Sequence, residues 1–178
     1  MDEKTKIYYD LVKRRKSVRE FLDKPVPLDI LSRLLMTLNR AQSAANRQPW
    51  HFIVVEKKDR DELNNVFTKD GFKNAPIAIV ACADRPQAWV RKTDGMNYAW
   101  VDVAIAVTEM IGAATAEGLG ACWVASLDAE RVKAILGIPA NLEVVAIIAI
   151  GYPATELKRE DKPRKPIKEI IHYGRWQE

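Results

Sequence analysis

The chain is short of the side chains on which most protein-only catalysis depends. It holds two histidines, His51 and His172, and two cysteines, Cys82 and Cys122, in 178 residues. No Gly-x-Ser-x-Gly elbow, no Walker A loop and no His/Cys/carboxylate spacing typical of a metal site is present. Gly118-Leu119-Gly120 follows a helical stretch and opens a strand, the reverse of the order in a dinucleotide fingerprint. Both cysteines sit inside apolar runs. They read as buried strand residues, not a disulfide framework, so a reducing, cytoplasmic setting is expected. Met1 to Lys6 is charged and lacks the apolar segment of a signal peptide. Apolar runs reach only about ten residues or are broken by Asp102 and Glu109, so no bilayer span is expected. His51 opens a strand and reads as structural more readily than as a base. An enzyme built this way needs a cofactor to supply its reactive atoms.

A chain of 178 residues with 48% hydrophobic content makes one domain with a real core, able to bury roughly 70% of its unfolded surface. Net charge is +4 and the pI about 9.0, which fits an anionic small ligand as well as a polyanion. There is no internal repeat and no low-complexity tract.

Periodicity predicts helices over 7–14, 28–40, 59–67, 98–117 and 129–136, and strands over 52–55, 77–83, 121–125 and 144–150. Leu31, Leu34, Leu35 and Leu38 give the second helix a buried stripe, and Gly137 closes the 129–136 helix. The 77–83 strand is continuous enough to be buried on both faces. Residues 85–95 read as a loop or loose helix. The 98–117 helix is apolar nearly all round. Val101, Ala104, Ile105, Thr108, Ile111 and Gly112 share a face, and its small residues leave room for a second subunit. Helices and strands alternate without regular pairing, which favours an α+β or mixed-sheet sandwich over a doubly wound fold.

Two segments carry chemistry. Arg14-Arg15-Lys16-Ser17-Val18-Arg19 packs four cations and a hydroxyl into six positions where a helical pattern stops. In an extended chain Arg15, Ser17 and Arg19 share a face, and paired guanidiniums beside a hydroxyl suit a phosphate or similar oxyanion. The plainer reading is a solvated cationic helix end, favourable against the helix dipole. Gln42 to Trp50 then offers Ser43, Asn46 and Gln48 as hydrogen-bonding groups, with Pro49 expected to hold Gln48 extended and Trp50 as an anchor. Its plainer reading is a polar loop with a core tryptophan. Trp89 reads either as a lid aromatic over a substrate or as an ordinary surface or core residue.

Arg-Arg-x-Ser-x-Arg-x-Phe, followed about 25 residues later by Ser-x-x-Asn-x-Gln-Pro-Trp-x-Phe-Ile-Val-Val, resembles the nitroreductase family of FMN-dependent oxidoreductases. Ala75-Pro76, the Ala-rich helix, Gly118 to Trp123, Ile150 to Pro153 and Lys162-Pro163-Arg164-Lys165-Pro166 extend the likeness over nearly the whole chain. The resemblance implies an α+β sandwich with a mixed, mostly antiparallel sheet and a long central helix. It also implies an intertwined homodimer with two FMN sites at the interface. Residues 1–152 would form the FMN-binding domain and 153–178 an arm packing on the partner.

By the same likeness Arg15, Lys16 and Ser17 match positions that hold FMN phosphate and ribityl, and Arg19 one near the flavin pyrimidine edge. Gln42, Ser43, Ala44 and Asn46, from the other subunit, match the loop against the ring. Ala125 and Ser126 match the backbone that faces flavin N5, and Lys162 or Arg164 a C-terminal cation on the phosphate. No side chain is expected to be catalytic. The function implied is hydride transfer from NAD(P)H through FMN to a nitroaromatic, quinone or similar acceptor, with ping-pong kinetics. Gln42 replaces a frequent proline, Ala44 a frequent serine, and Ala125 an acidic residue found in some members; these bear on substrate preference, not on FMN binding. Reductive dehalogenation and oxygen-dependent flavin breakdown are alternatives on the same fold, although the insertions expected for them are not evident. A nucleic-acid module using 14–19 and 158–165 is a third, without a recognised motif; no nucleic acid or membrane partner is expected.

Overall fold

The computed structural model describes residues 1–155 and 163–176. Four strands and four helices form it: α1 Glu3–Arg14, α2 Leu28–Arg40, β1 Trp50–Glu56, β2 Ile77–Asp84, α3 Ala99–Ala116, β3 Gly120–Val124, α4 Ala129–Leu136 and β4 Leu142–Gly151. The sheet order is β1-β2-β4-β3, antiparallel at every pair. An isolated parallel bridge, Ser17 to Ala121, lies outside the named strands.

The sheet's two faces feed two cores. Ile77, Ile79, Ala81 and Ala83 face α2 and α3; Ala78, Val80 and Cys82 face the layer holding α4 and the 57–75 segment. That is the period-two alternation of a strand. Every residue of β2 is buried, as its β-branched run predicts. Ala81 pairs with Ala146 but Cys82 with Val144, so Val145 is the extra residue of a bulge and joins Ala146 on the α3 face. Cys82 and Cys122 are both buried, as expected, and burial pushes the Cys82 thiol up to about 11.

The helix α2 has the boundaries its leucine spacing predicts. Leu31, Leu34 and Leu38 are buried, and Arg33 clamps its outer side. Arg33 Nε and Nη2 donate to the two oxygens of Glu117 at 2.6 and 3.0 Å, while Nη1 donates to Asp29 at 2.9 Å. Glu117 follows α3, so the clamp ties two helix ends together. α4 ends as expected at Gly137, whose φ of 63° is the left-handed conformation glycine adopts at no steric cost.

Three elements depart from expectation. α1 begins at Glu3, four residues earlier than its apolar pattern indicates. The cause is the cap: Asp2 Oδ1 accepts from Thr5 N at 2.9 Å and Oδ2 from Thr5 Oγ at 2.7 Å. The expected 59–67 helix is instead a run of 3-10 turns at Lys57–Asp59, Leu63–Val66 and Asp70–Asn74. Here a non-local contact overrides helical spacing. Arg60 is 0% exposed, and its Nη2 donates to the carbonyls of Phe72, Lys73 and Ala75, stitching one turn to the next. Residues 89–98 form a hairpin-like turn: Val90 bridges Asn97, and Tyr98 N donates to Trp89 O at 3.0 Å. Trp89 packs edge-on against Tyr98 with centroids 5.0 Å apart.

α3 is long and apolar enough to cross a membrane by length and composition alone, contrary to expectation. It packs as a core helix, burying Asp102, Val103, Ala106, Val107, Met110 and Ala114 against α2 and the sheet. The Val101 to Gly112 face lies on the other side and stays half open, so within the protomer the helix is buried on one side and not all round. A Cβ placed on Gly112 meets nothing within 4 Å. α1 likewise buries none of its residues and exposes Ile7, Tyr8, Tyr9 and Val12.

A Cβ on Gly120 would lie 2.5 Å from Val18 Cγ2. Gly120→Ala is therefore expected to destabilise the protein by about 1–3 kcal/mol through overpacking, read as a lower urea midpoint at unchanged m-value.

Candidate functional site

The cationic segment is positioned by what lies beneath it. Arg15 leaves α1 with φ −60° and ψ 122°, so the chain turns from helical to extended at that residue. Ser17 then bridges Ala121, and Val18 N donates to Ala121 O at 3.0 Å. Further on, Leu22 N donates to Tyr152 O at 2.9 Å and Ala154 N to Glu20 O at 3.0 Å. Residues 17–22 thus run along the outer edge of β3 and the end of β4. Val18 is buried over Gly120 and Arg19 is exposed, but Val18 and Phe21 enter the same core cluster and Glu20 is exposed, so burial does not follow the strict two-residue alternation of an extended chain. Gly71 makes a second close approach: a Cβ there would lie 2.1 Å from Arg19 O. The backbone around Arg19 is held on both sides.

Arg15, Lys16 and Ser17 are half-buried. Among the described residues neither Arg15 nor Arg19 pairs with a carboxylate. A partly desolvated guanidinium without a counter-charge is a ready receptor for an anion. The donor set suits a phosphate, which takes paired N–H donors and a hydroxyl together.

The loop before β1 is tightly wound. Ala44–Asn46 is one 3-10 turn, and Ala45, Asn46 and Gln48 have φ of 51°, 53° and 52°. Gln48 is therefore left-handed in φ, not extended as Pro49 led us to expect. Its N–H donates to Ser43 Oγ at 3.0 Å, and its Nε2 to Asn46 O and Oδ1, both at 3.2 Å. Those bonds close the turn against the usual preference before proline. The left-handed region costs about 1–2 kcal/mol for a residue with a Cβ such as Ala45. The remaining anchor is Asp102. Its Oδ1 accepts from Ala44 N at 2.9 Å, and the residue is only 1% exposed. A charge-assisted bond of this kind is worth ~1.5–3 kcal/mol, comparable with the strain it opposes. Sequence reasoning read Asp102 only as a break in an apolar run. The usable signal was a carboxylate spaced with Val103, Ala106 and Met110 on the helix face that the sheet covers.

Within one protomer these two segments do not meet. Ala121, beside Ser17, stands in the row Ala121–Ile150–Ile77–Glu56, whereas Trp50 starts β1 opposite Ala83. Ser17 and Trp50 thus occupy diagonal corners of the sheet, ~25 Å apart by strand spacing and rise. Ala125 and Ser126 follow β3 and are exposed, at the end of the sheet where Trp50 lies. Gln42 and Asn46 are exposed, Ser43 and Ala44 half-buried. Arg164 is exposed in the C-terminal segment, and Lys162 lies outside the described residues. One cleft of about 390 Å³ lies elsewhere, between β1–β2 and the turn after α4. His51 and Asp84 line it, their Nε2 and Oδ2 3.7 Å apart, and it contains none of the candidate cofactor residues.

Comparison with known proteins places the chain in a family. A family model described as nitroreductase family matches residues 12–70 and 63–152. A protein from Archaeoglobus fulgidus, provisionally named NADH dehydrogenase/NAD(P)H nitroreductase, is 34% identical over 99% of this chain and 100% of its own length. An iodotyrosine deiodinase from Thermotoga neapolitana is 27% identical over 93% of this chain and 96% of its own. The crystal structure of a nitroreductase family protein from Clostridium difficile 630 superposes with a TM-score of 0.85 at 30% identity, covering 94% of this chain and 98% of that one. An N-terminal cationic strand, a Ser-x-x-Asn loop and an antiparallel α+β sandwich thus coincide with sequence and structural kinship along most of the chain, which belongs to the nitroreductase family.

Proposed function

We propose that the protein is an FMN-dependent oxidoreductase that passes a hydride from NAD(P)H to an electrophilic acceptor such as a nitroaromatic or a quinone. It would act as a homodimer with FMN between the subunits. The observation that carries this reading is the separation of the donor set into two corners of one sheet, beside apolar surface that one protomer leaves uncovered. Ile7, Tyr8, Tyr9 and Val12 on α1, the Gly112 face of α3, and Ile167, Ile170, Tyr173 and Trp176 in the C-terminal segment supply that surface. Trp176 is 76% exposed, a costly state for a residue of its size. The segment from 153 would pack on the partner.

The residues present fit the cofactor. Arg15, Lys16 and Ser17 would hold its phosphate and ribityl chain, with Arg164 or Lys162 as a further cation. Arg19 would stand at the pyrimidine edge, where a fixed positive charge favours the more electron-rich ring. Ser43 and Asn46 of the partner subunit would hydrogen-bond beside the ring, with Gln42 and Ala44 of the partner subunit shaping the loop. Backbone N–H groups of Ala125 and Ser126 would orient it. When bound, FMN supplies the hydride-accepting atom that these side chains lack. A slot shared by nucleotide and acceptor gives ping-pong kinetics.

Reductive dehalogenation is the second reading, and the deiodinase relative favours it. That alignment runs over 193 positions, more than the 178 of this chain, so the relative carries segments absent here. The oxidoreductase reading ranks first because the relative provisionally named NADH dehydrogenase/NAD(P)H nitroreductase is 34% identical over 99% of this chain, against 27% over 93% for the deiodinase.

The direct test is steady-state oxidation of NADH and of NADPH by the FMN-loaded protein, with a quinone, a nitroaromatic and an iodotyrosine as acceptors. Parallel double-reciprocal lines with the first two support the proposal. Turnover of the iodotyrosine alone would replace it with the second reading, and a colourless protein that takes up no FMN would end both. Arg15→Ala should weaken FMN retention by ~2 kcal/mol, roughly thirtyfold in Kd by fluorescence titration. Arg19→Ala should lower the flavin midpoint potential more than Arg15→Ala does; equal shifts in spectroelectrochemistry contradict the roles given to the two arginines.

A further inference from the structure

We infer that Asp102 is a positioning residue: from the first turn of α3 its buried carboxylate holds the 43–48 loop in its left-handed conformation and so sets the direction of Ser43 and Asn46. Asp102 is 1% exposed, and only one of its oxygens is used within the chain. Oδ1 accepts from Ala44 N at 2.9 Å, while Oδ2 is buried with no partner among the described residues. A buried carboxylate is costly unless it is bonded, so its presence on the core face of an apolar helix needs a return. Its own backbone is secured, with Asp102 N bonded to Tyr98 O at 2.9 Å, and the first turn of a helix favours negative charge.

The return is the loop. The residue bonded to Asp102, Ala44, immediately precedes the first left-handed residue, and two more follow within four positions, none of them glycine. The loop's internal bonds all lie between Ser43 and Trp50 and fix its shape, but not its attachment to the body of the protein. Asp102 joins it to a helix packed on the sheet. β2 fixes the other end through Asp84 N, which donates to Pro49 O at 3.0 Å. With both ends tied, Ser43 and Asn46 have one presentation. The consequence for FMN rests on the cofactor assignment proposed above, but the positioning role does not.

The test is amide hydrogen exchange on the full-length protein, with FMN affinity measured in parallel. Asp102→Ala should speed exchange at Ala44 and Gln48 by roughly tenfold or more while β2 and β4 amides keep their protection. Asp102→Asn, which retains an acceptor oxygen of the same shape, should restore most of that protection. Ala45→Gly removes the left-handed penalty, so Asp102→Ala made in that background should loosen the loop less. Unchanged exchange at Ala44 in Asp102→Ala overturns the inference, as does loosening of the whole sheet in step with the loop, which would make Asp102 a general core residue. The cofactor reading fails separately: a loosened loop with unaltered FMN affinity would remove Ser43 and Asn46 from the FMN site.

Discussion

The contact of Val18 with Gly120 is the constraint on which the site's geometry depends. β3 is an edge strand, and an open edge is a liability for any sheet. Here it is covered by residues 17–22, which reach β3 and β4 through backbone bonds and pack Val18 where Gly120 offers no side chain. In the same segment Val18 is buried while Ser17 is half-buried and Arg19 exposed. The protection of a sheet edge and the display of a cationic surface are thus one structural event. Gly71, pressed against the carbonyl of Arg19, fixes the segment from the opposite side.

A second consequence concerns division of labour across the sheet. Because β1 and β3 are its opposite edges, the loop ahead of β1 and the strand beside β3 are kept apart by the core they flank. The core therefore cannot be trimmed to bring them together. In the homodimer proposed above a second polypeptide would do so, packed on the exposed apolar surface of α1 and α3. In this fold the sheet acts as a spacer as much as a scaffold.

Where residues act through neighbours in sequence, the sequence was readable. The leucine stripe of α2, the closure of α4 at Gly137 and the double burial of β2 follow from local spacing, and all three appear as expected. The composite motif of residues 14–21 and 43–55 indicated the family correctly. Elements governed by remote partners were not legible. The 59–67 stretch has helical spacing, yet Arg60 draws carbonyls from twelve or more residues away and breaks it into turns. Gln48 precedes a proline and should be extended, but its bonds to Ser43 and Asn46 rotate it. Asp102 looked like an interruption because its partner, Ala44, is 58 positions distant. For α3 the apolar residues run nearly all round, so spacing alone did not single out the face that packs on α2 and the sheet.

Arg60 has an implication for how the molecule opens. Its guanidinium sits in the interior with Nε and Nη1 lacking acceptors, and desolvation pushes its pKa down from a value too high for the proton to be lost near neutrality. The cation therefore stays charged inside a layer of Phe67, Phe72 and Leu63. Peeling away residues 57–75 would return that charge to water and recover part of its hydration energy, whereas exposing β2 or β4 recovers nothing comparable. The segment is thus a built-in weak seam, the region from which breathing and proteolytic nicking should start while the four strands remain intact.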